Sequence, residues 1–511
     1  MSVSLIRHST LRLHAADEVV IAVRSIRQGT LLGAEGVTCT NDIPAGHKVA
    51  VHDVAKGQAV HRYGQTIGFA SADIRAGDHV HTHNLAFEAF VRDYAIGVDV
   101  RADTRGTATD PATFLGFVRA DGRVATRNYI GVVSTVNCSA SVSKFVAQYF
   151  SAEVMRAYPN VDGVVPITHS VGCGMDSNGA GIDVLRRTIA GYVRHPNFAG
   201  VVIIGLGCEA NQMGAMMQAQ GLHESALLQP LVIQESGGTK NTVAAGIDAV
   251  NRMLVAANQS VRQPVSARHI TIGLQCGGSD GYSGITANPA LGAACDLLVS
   301  HGGTVILSET PEIYGAEHLL TRRAVRPDVA DRLIERIRWW EQYTARNNGS
   351  MDNNPTPGNK AGGLTTILEK SLGAVAKAGT TNLEAVYEYA EPVTETGFVF
   401  MDTPGYDPVS ATGQVAGGAN MICFTTGRGS VYGCKPSPSI KLATNTSLFE
   451  RMGDDMDINC GDIIDGDMTV AAKGREIFDM VLRVASGAPS RSEAHGMGSD
   501  EFVPWYLGAV M

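Results

Sequence analysis

Apolar strands, glycine-rich turns and amphipathic helices alternate along the chain from Tyr129 onward. This alternation is typical of α/β units that build a largely parallel sheet, in which ligands bind beyond the carboxyl ends of the strands. The predicted strands are Tyr129–Val136, Val161–Thr168, Val201–Leu206, Leu231–Gln234, Ile270–Leu274, Thr304–Leu307 and Phe398–Met401. The predicted helices are Val142–Tyr158, Ile182–Arg194, Thr242–Ala257, Ala290–His301 and Asp331–Arg346.

The first 90 residues follow a different pattern, in which short β segments are separated by glycine and proline turns. The predicted segments are Glu18–Val23, Gln58–Val60 and His79–His83. The predicted fold is therefore α/β, with a small N-terminal β-rich domain followed by two α/β domains with largely parallel sheets. The predicted boundaries are 1–90 for the β domain, 91–113 for a linker, 114–258 for the second domain and 265–511 for the C-terminal domain.

Composition narrows the class of protein. The 511 residues are 44% hydrophobic and 18% charged, which excludes a disordered chain. The net charge is 41 − 50 = −9, without any lysine or arginine run, so neither nucleic acid nor an anionic membrane is the expected partner. No apolar segment has the length of a membrane span or the form of a signal peptide, which predicts a cytoplasmic protein with a small-molecule partner. Nine cysteines, an odd number, predict reduced thiols rather than a disulfide framework.

Four of these cysteines come just after predicted strands. They are Cys138, Cys173, Cys208 and Cys276. Because the carboxyl ends of parallel strands meet at one edge of a sheet, the four thiols could converge there as soft metal ligands or nucleophiles. The alternative is that each is an ordinary buried cysteine.

A histidine cluster occurs at the end of the β-rich domain, in His79-Val-His-Thr-His83. Alternation along a strand would place His79, His81 and His83 on one face, where two imidazoles could hold a divalent metal. A solvated histidine face is the alternative. His169, just before a Gly-Cys-Gly turn, is a further candidate base or ligand.

Two glycine patterns resemble well-known motifs but lack their usual context. Gly205-Leu-Gly-Cys-Glu-Ala210 fits a dinucleotide fingerprint, yet no acidic strand end follows about 20 residues on, as ribose binding requires. Gly277-Gly-Ser-Asp-Gly281 fits a nucleophile elbow, but none of the histidines downstream lies in a motif that marks a catalytic histidine. Neither a nucleotide cofactor nor a serine hydrolase is therefore the leading prediction.

Cationic side chains in the C-terminal third suggest anion binding. Arg428 lies in Phe424-Thr-Thr-Gly-Arg-Gly-Ser430, where a guanidinium and hydroxyl groups could hold a carboxylate. Lys435 and Lys441 follow nearby, and Lys360 lies in a Gly- and Asn-rich loop. Solvated surface charge is the alternative for each of them.

Taken together, these segments resemble the altronate/galactarate dehydratase family. The resemblance spans nearly the whole chain and is most specific from Cys276 to Gly292. Its other marks are Thr135–Cys138, Thr168–Gly174, Leu206–Gln212, Asn359–Thr366, Phe424–Gly429 and Asp455–Asn459. The first 90 residues resemble the SAF domain of that family, through Arg62–Gly64 and His81–Asn84.

The resemblance implies elimination of water from a sugar acid, dependent on iron(II) or a similar divalent ion such as manganese(II). Such a reaction needs a base to remove the proton α to a carboxylate, a cation to stabilise the enediolate and an acid for the leaving hydroxyl. We expect the metal at His81, His83, Cys138, Cys173, Cys208 and Cys276. We expect proton transfer by His169, Glu209 or Lys360. We expect substrate binding by Asn137, Ser279, Asp280, Thr425, Thr426, Arg428 and Lys435.

Several alternatives stay open at this point. Within the family the chain carries features of both the altronate and the galactarate type, so the substrate is not fixed. An iron–sulfur dehydratase using three of the cysteines is a variant of the same reaction class. A nicotinamide oxidoreductase using Gly205–Ala210 and a non-catalytic sugar-acid sensor belong to other classes. A homodimer or higher homo-oligomer is expected because most soluble enzymes form one.

Overall fold

The computed structural model describes residues 9–508, and every element below lies in that range. An N-terminal β domain packs on a C-terminal α/β domain, and a smaller α/β domain lies between them in sequence. The strands of the N-terminal domain are β1 Thr10–Leu11, β2 Val19–Ala22, β3 Leu31–Leu32, β4 Val37–Thr38, β5 Lys48–Ala50, β6 Ala59–Arg62, β7 Gln65–Ala70, β8 His79–Val80 and β9 Leu85–Ala86. They form antiparallel sheets in the orders β1-β2-β5-β8, β3-β4 and β6-β7-β9.

The second domain is built on a parallel sheet in the order β13-β12-β14-β15. Its elements are β10 Thr113–Val118, β11 Val124–Ala125, β12 Tyr129–Ser134, α1 Asn137–Tyr149, α2 Ala152–Met155, β13 Gly163–Ile167, α3 Ala180–Val193, β14 Phe198–Gly205, α4 Met213–Ala219, β15 Leu228–Val232, α5 Thr239–Ala257 and β16 Gln263–Ser266. Strands β12 and β14 are buried along almost their whole length, which explains their unbroken apolar sequences. Strand β16 returns to pair antiparallel with β10 beside this sheet.

The third domain contains a parallel sheet in the order β19-β20-β18-β17-β21-β22-β23. Its elements are β17 Thr271–Cys276, α6 Ala287–Ser300, β18 Thr304–Leu307, α7 His318–Thr321, α8 Pro327–Arg346, α9 Pro357–Ala361, α10 Ile367–Val375, β19 Leu383–Tyr387, β20 Gly397–Met401, α11 Asp407–Ala416, β21 Met421–Thr426, β22 Ser439–Ala443, α12 Thr446–Arg451, β23 Ile458–Asn459, α13 Asp462–Asp465, α14 Val470–Ala485 and α15 Arg491–Ala494. Single 3₁₀ turns lie at Ala267–His269, Thr310–Glu312, Met351–Asn353 and Ala376–Ala378. Because β17, β18 and β21 are covered on both faces, the loops after them are held on a rigid, buried platform.

The predicted fold class is confirmed. Two local predictions were wrong. The helix predicted over Val142–Tyr158 begins earlier, at Asn137, and is interrupted where Ser151 adopts an extended conformation before α2. The strand predicted over His79–His83 ends at Val80, because the Asn84 side chain accepts a hydrogen bond from the His81 amide and turns the chain.

The predicted domain boundaries remain predictions. Strand β16 lies across the predicted break between residues 258 and 265 and joins the small sheet that begins with β10. Within residues 9–508, no helix is both long and apolar enough to cross a membrane.

Candidate active site

Three histidines of the N-terminal domain bring their ring nitrogens together. His47 lies just before β5, His79 begins β8, and His81 follows in the turn after β8. One ligand nitrogen from each lies within 4.8 Å of the others, and His47 Nδ1 is 2.9 Å from His79 Nε2. The rings of His79 and His81 are stacked, with centroids 5.4 Å apart. The three side chains therefore present an imidazole set of the kind that binds divalent transition metals.

The electrostatics of this imidazole set favour neutral rings. Burial, reinforced by the neighbouring histidines, lowers the pKa of His79 to about 3. Burial and the nearby Lys48 lower the pKa of His81 to about 4, and the same two causes lower the pKa of His47. Nδ1 of His81 is buried and finds no hydrogen-bond partner among the described residues. A neutral imidazole with an unshared lone pair is a competent metal ligand, so these residues fit a divalent ion.

The imidazole set shares only His81 with the predicted metal ligands, while His79 was predicted on the same face but not as a ligand. His83, a predicted ligand, is exposed, and its ring lies 5.5 Å from that of His79, outside the imidazole set. His47 takes its place and was not predicted. It lies 32 residues before His79, and only the pairing of β5 with β8 brings the two together.

The imidazole set lies where the N-terminal domain meets the third domain. His47 Nε2 is 3.4 Å from the carbonyl oxygen of Ala361, in the segment that carries Lys360. The backbones approach so closely here that a Cβ added to Gly281 would lie 2.0 Å from the oxygen of Gly46. A Cβ on Gly363 would lie 2.5 Å from that same oxygen. Glycine is therefore required on the third-domain side of the contact.

A buried ion-pair network secures the same junction. The Glu369 carboxylate accepts hydrogen bonds from Lys48 Nζ at 2.9 Å and from Arg62 Nη1 at 2.6 Å. Burial alone would raise the pKa of Glu369, but Lys48 and Arg62 lower it to about 2. Arg62 also donates to the carbonyl oxygen of Gly281. Two cations of the N-terminal domain thus share one carboxylate of α10, and all three side chains are almost fully buried.

A cavity of about 380 Å³ opens beside this junction. Its walls include Ala45 of the N-terminal domain and Ala361–Gly362 of the third, which places it next to the segments that carry and contact His47. The side chains around it are mainly charged or hydroxylated: Arg24, Ser25, Asp280, Arg428, Asn445, Thr446, Ser447, Arg451 and Asp465. Three guanidinium groups suit a carboxylate ligand, and the hydroxyl and amide groups suit a polyol.

Asp280 is the best-organised polar residue of this cavity. Its carboxylate accepts hydrogen bonds from Thr444, from Asn445 and from the Ser283 hydroxyl, each at 3.0 to 3.1 Å. Burial raises its pKa despite these donors. A Cβ on Gly427 would lie 2.1 Å from the carboxylate carbon, so glycine there lets the Arg428 loop close over Asp280.

The other predicted substrate-binding residues of the third domain do not line this cavity. Thr425 is buried and donates to Asn288 at 2.6 Å, while the Thr426 hydroxyl accepts from the Gly429 amide. The carbonyl of buried Ser279 accepts from Asn359 at 2.9 Å. Lys435 lies apart from the cavity lining and reaches towards the carbonyl of Gly496 at 3.5 Å.

Cys276 ends β17 in a buried cluster of opposite charges. Lys377 Nζ lies 2.8 Å from its sulfur and 3.4 Å from Glu309, while Lys370 Nζ lies 2.6 Å from Glu312. Burial raises the pKa of the Cys276 thiol to about 12. Cys276, Glu309 and Glu312 are close enough to be metal ligands, but Lys377 and Lys370 already pair with them. A divalent ion here would have to compete with these two ammonium groups.

The other three predicted cysteines lie together on the second domain. Cys138 is the second residue of α1, Cys173 follows β13 and Cys208 follows β14, and all three are exposed. Asn137, the first residue of α1, and Cys173 border a second cavity of about 640 Å³. No contact in the described part of the chain joins these thiols to the imidazole set, so the structure does not bring the predicted histidine and cysteine ligands into one group.

Two predicted proton-transfer residues belong to this second-domain edge. His169 is buried, with Nε2 3.0 Å from the carbonyl oxygen of Ser134 and Nδ1 accepting from the Val171 amide. Burial lowers its pKa to about 4. The Glu209 carboxylate accepts from the Thr135 hydroxyl and from the amides of Leu206 and Gly207. Since Glu209 fills the amide positions that a pyrophosphate would need, the fingerprint-like turn is already occupied.

Comparison with known families covers almost the whole chain. Residues 8–88 match the altronate/galactarate dehydratase SAF domain, residues 116–258 the D-galactarate dehydratase/altronate hydrolase second domain, and residues 267–510 the D-galactarate/altronate dehydratase C-terminal domain. The chain belongs to the altronate/galactarate dehydratase family. Membership makes it an enzyme of the dehydratase type and confirms the resemblance drawn from its motifs.

Individual members of the family are similar along their full length. An altronate dehydratase of Bacillus subtilis is 34% identical over 482 residues, covering 94% of this chain and 95% of its own. An altronate dehydratase of Escherichia coli is 34% identical over 488 residues, covering 94% and 96%. A galactarate dehydratase (L-threo-forming) of E. coli is 37% identical over 485 residues, covering 93% and 92%. These identities do not separate the two substrate types.

Proposed function

We propose that the chain removes water from a sugar acid of the aldonate or aldarate class, with a divalent metal ion bound by His47, His79 and His81. The observation that carries this proposal is the position of the imidazole set and the cavity at the junction of the N-terminal and third domains. His47, one of the three neutral imidazoles, contacts the Ala361 carbonyl, and Ala361 also lines the cavity that holds three arginines. A metal site and an acid-binding site are thus contiguous across two domains.

A divalent ion, iron(II) first and manganese(II) next, would supply Lewis-acid stabilisation of the negative charge that develops on the substrate. The rest of the chemistry belongs to the chain. Arg428, Arg24 and Arg451 neutralise the carboxylate, which makes the adjacent C–H more acidic. Asp280 and Asn445, fixed by their own hydrogen bonds, orient the hydroxyl groups.

Proton transfer is assigned by position. Lys360 precedes Ala361, whose carbonyl contacts His47, and it is the one predicted proton-transfer residue at this junction. His169 and Glu209 lie on the second domain, where their polar atoms hold loops in place. We therefore propose Lys360 as the group that moves a proton to or from the substrate. The product would be the 2-keto-3-deoxy acid.

The test is an assay of keto-acid formation under anaerobic conditions with iron(II) or manganese(II), against a panel of aldonates and aldarates. Metal content is measured on the same preparations. His47→Ala and His81→Ala should lose both the bound ion and at least about 100-fold of activity. His52→Ala, at an exposed histidine of the same domain, is the matched control and should retain both.

Two results would overturn the proposal. One is full metal content in both His47→Ala and His81→Ala, which would place the ion elsewhere. The other is saturable binding of an aldonate or aldarate without any keto acid from the metal-loaded protein, which is the behaviour of a sensor.

A further inference from the structure

The three exposed thiols of the second domain are the exception among the cysteines of the described chain. Cys138, Cys173 and Cys208 are exposed, whereas the other six are buried. They follow β12, β13 and β14, which are neighbours in the order β13-β12-β14. The three loops therefore leave the sheet side by side at its carboxyl edge.

Hydrogen bonds join these loops into one unit. The Asn137 amide donates to the Val171 carbonyl at 3.0 Å, linking the loops of Cys138 and Cys173. Asn211 donates from its backbone to Gly172 and from its side chain to Thr135, at 3.0 and 3.1 Å, linking the Cys208 loop to both others. Three thiols on mutually bonded loops have a fixed relative geometry, which a metal centre requires.

The glycines beside the thiols are required by the same arrangement. Gly172 has φ of 106°, and an added Cβ would lie 2.4 Å from the carbonyl oxygen of Thr135. Gly207 has φ of 125°, and an added Cβ would lie 2.6 Å from Oε1 of Gln234. Gly172 excludes a side chain on steric grounds as well as by its backbone conformation, whereas at Gly207 the positive φ is the main reason for glycine.

The surroundings favour a negatively charged sulfur centre. Cys138 is the second residue of the 13-residue helix α1, whose N-terminus favours anions. Gln234 donates from Nε2 to the Cys208 sulfur at 3.4 Å. Hydrogen bonds to cysteine sulfur are among the features that set the reduction potential of iron–sulfur clusters.

The spacing argues against a single ion. Among residues 9–508, these thiols do not form a group whose ligand atoms lie within 4.8 Å of one another, as the imidazole set does. A polynuclear cluster needs ligands spread around several metal atoms, and three thiolates leave one iron of a four-iron cluster open to solvent or to a ligand.

We propose that Cys138, Cys173 and Cys208 bind a cubane iron–sulfur cluster at the carboxyl edge of the four-stranded sheet. This site is separate from the imidazole set and does not rest on the proposed function. A cavity of about 640 Å³, bordered by Asn137 and Cys173, adjoins the proposed site.

The test uses the full chain, purified and reconstituted anaerobically with iron(II) and sulfide. The expected result is a brown protein with a broad visible absorption band and about four iron and four acid-labile sulfide per chain. Cys138→Ser, Cys173→Ser and Cys208→Ser should each lose most of the absorption and the sulfide. Circular dichroism of each variant reports whether it has folded.

Two controls separate this site from the rest of the molecule. Cys295→Ala changes a buried cysteine of α6 and should keep the absorption and the sulfide. His47→Ala should keep them as well, even where it loses the divalent ion. Iron or zinc bound without sulfide would overturn the cluster, and sulfide retained at full stoichiometry in Cys138→Ser would overturn the ligand assignment. No iron or sulfide after reconstitution would also overturn the proposal.

Discussion

Cysteines follow strands at the carboxyl edges of both parallel sheets, but they are exposed at one edge and buried at the other. Cys276, after β17, is buried and lies 2.8 Å from Lys377. Cys138, Cys173 and Cys208, after the strands of the smaller sheet, are exposed. The position of a residue after a strand places it at a sheet edge, but its chemistry depends on what covers that edge.

The covered edge should respond most strongly to loss of a single charge. Lys377→Ala removes the ammonium group that compensates Glu309 and contacts Cys276, leaving buried acidic groups without their partner. We expect a loss of about 3–5 kcal/mol in the free energy of unfolding, measured by urea denaturation. Lys240→Ala, at an exposed lysine, should change that free energy by less than about 0.5 kcal/mol. If Lys377→Ala changed the free energy of unfolding as little as Lys240→Ala does, the buried charge cluster at Cys276 would not contribute to stability.

The junction between the N-terminal and third domains depends on Glu369, and the contribution of Glu369 to the free energy of unfolding depends on pH. Glu369→Gln should cost about 3 kcal/mol near neutral pH, because Lys48 and Arg62 lose their shared carboxylate. The pKa of Glu369 is lowered to about 2 in the folded protein, so its stabilisation is complete above its ordinary value near 4.5 and is lost as pH falls towards 2.

The difference in unfolding free energy between wild type and Glu369→Gln should therefore shrink as pH falls from about 5 to about 2. Denaturation series at several pH values measure it. A difference that stays constant over that range would contradict the conclusion that ion pairs of Glu369 with Lys48 and Arg62 stabilise the junction.

The close approach of the two backbones at this junction makes a smaller contribution to the free energy of unfolding. Gly281→Ala would force its Cβ to within 2.0 Å of the Gly46 oxygen, and we expect a loss of about 1–3 kcal/mol with reduced metal binding at His47. Gly214→Ala is the matched control, since it lies in α4 with nothing within 4 Å of the added Cβ. That substitution should be neutral or slightly stabilising. Thermal unfolding together with metal analysis compares the two.

The open edge should be the least sensitive in stability and the most accessible to reagents. Cys138→Ser should change the free energy of unfolding of the reduced, metal-free protein by less than about 0.5 kcal/mol. In reduced, metal-free protein, a thiol reagent should modify Cys138, Cys173 and Cys208 quickly and the six buried cysteines only after denaturation. Mass spectrometry of the labelled peptides identifies the sites. Fast labelling of Cys276 would remove the contrast between the two edges.

The fold was predictable because its signals are local. The buried parallel strand β14 is a continuous apolar run, and the strand predicted over Thr304–Leu307 agrees with β18 at both ends. Local signals failed where a side chain redirected the backbone. Asn84 ends the histidine strand at Val80, which no alternation of apolar and polar residues could show.

The candidate site was predictable only in part, because it depends on contacts between remote segments. The sequence singled out Asp280 and Arg428, which lie at one cavity, but His47 joins His79 only through the pairing of β5 with β8. Cys276, like Cys208, follows a predicted strand, and that pattern does not show that it is buried. Its partners Lys377 and Glu309 lie 101 and 33 residues further along the chain.

One consequence follows from the order of two adjacent residues, His47 and Lys48. The first offers its ring to the candidate metal, and the second holds Glu369 and the carbonyl of Gly363 on the opposite domain. All three imidazoles belong to the N-terminal domain, so separation of the domains would leave the ligands together but would part them from Ala361, Gly362 and Arg428 of the cavity. The chemistry would then be confined to the fully docked molecule.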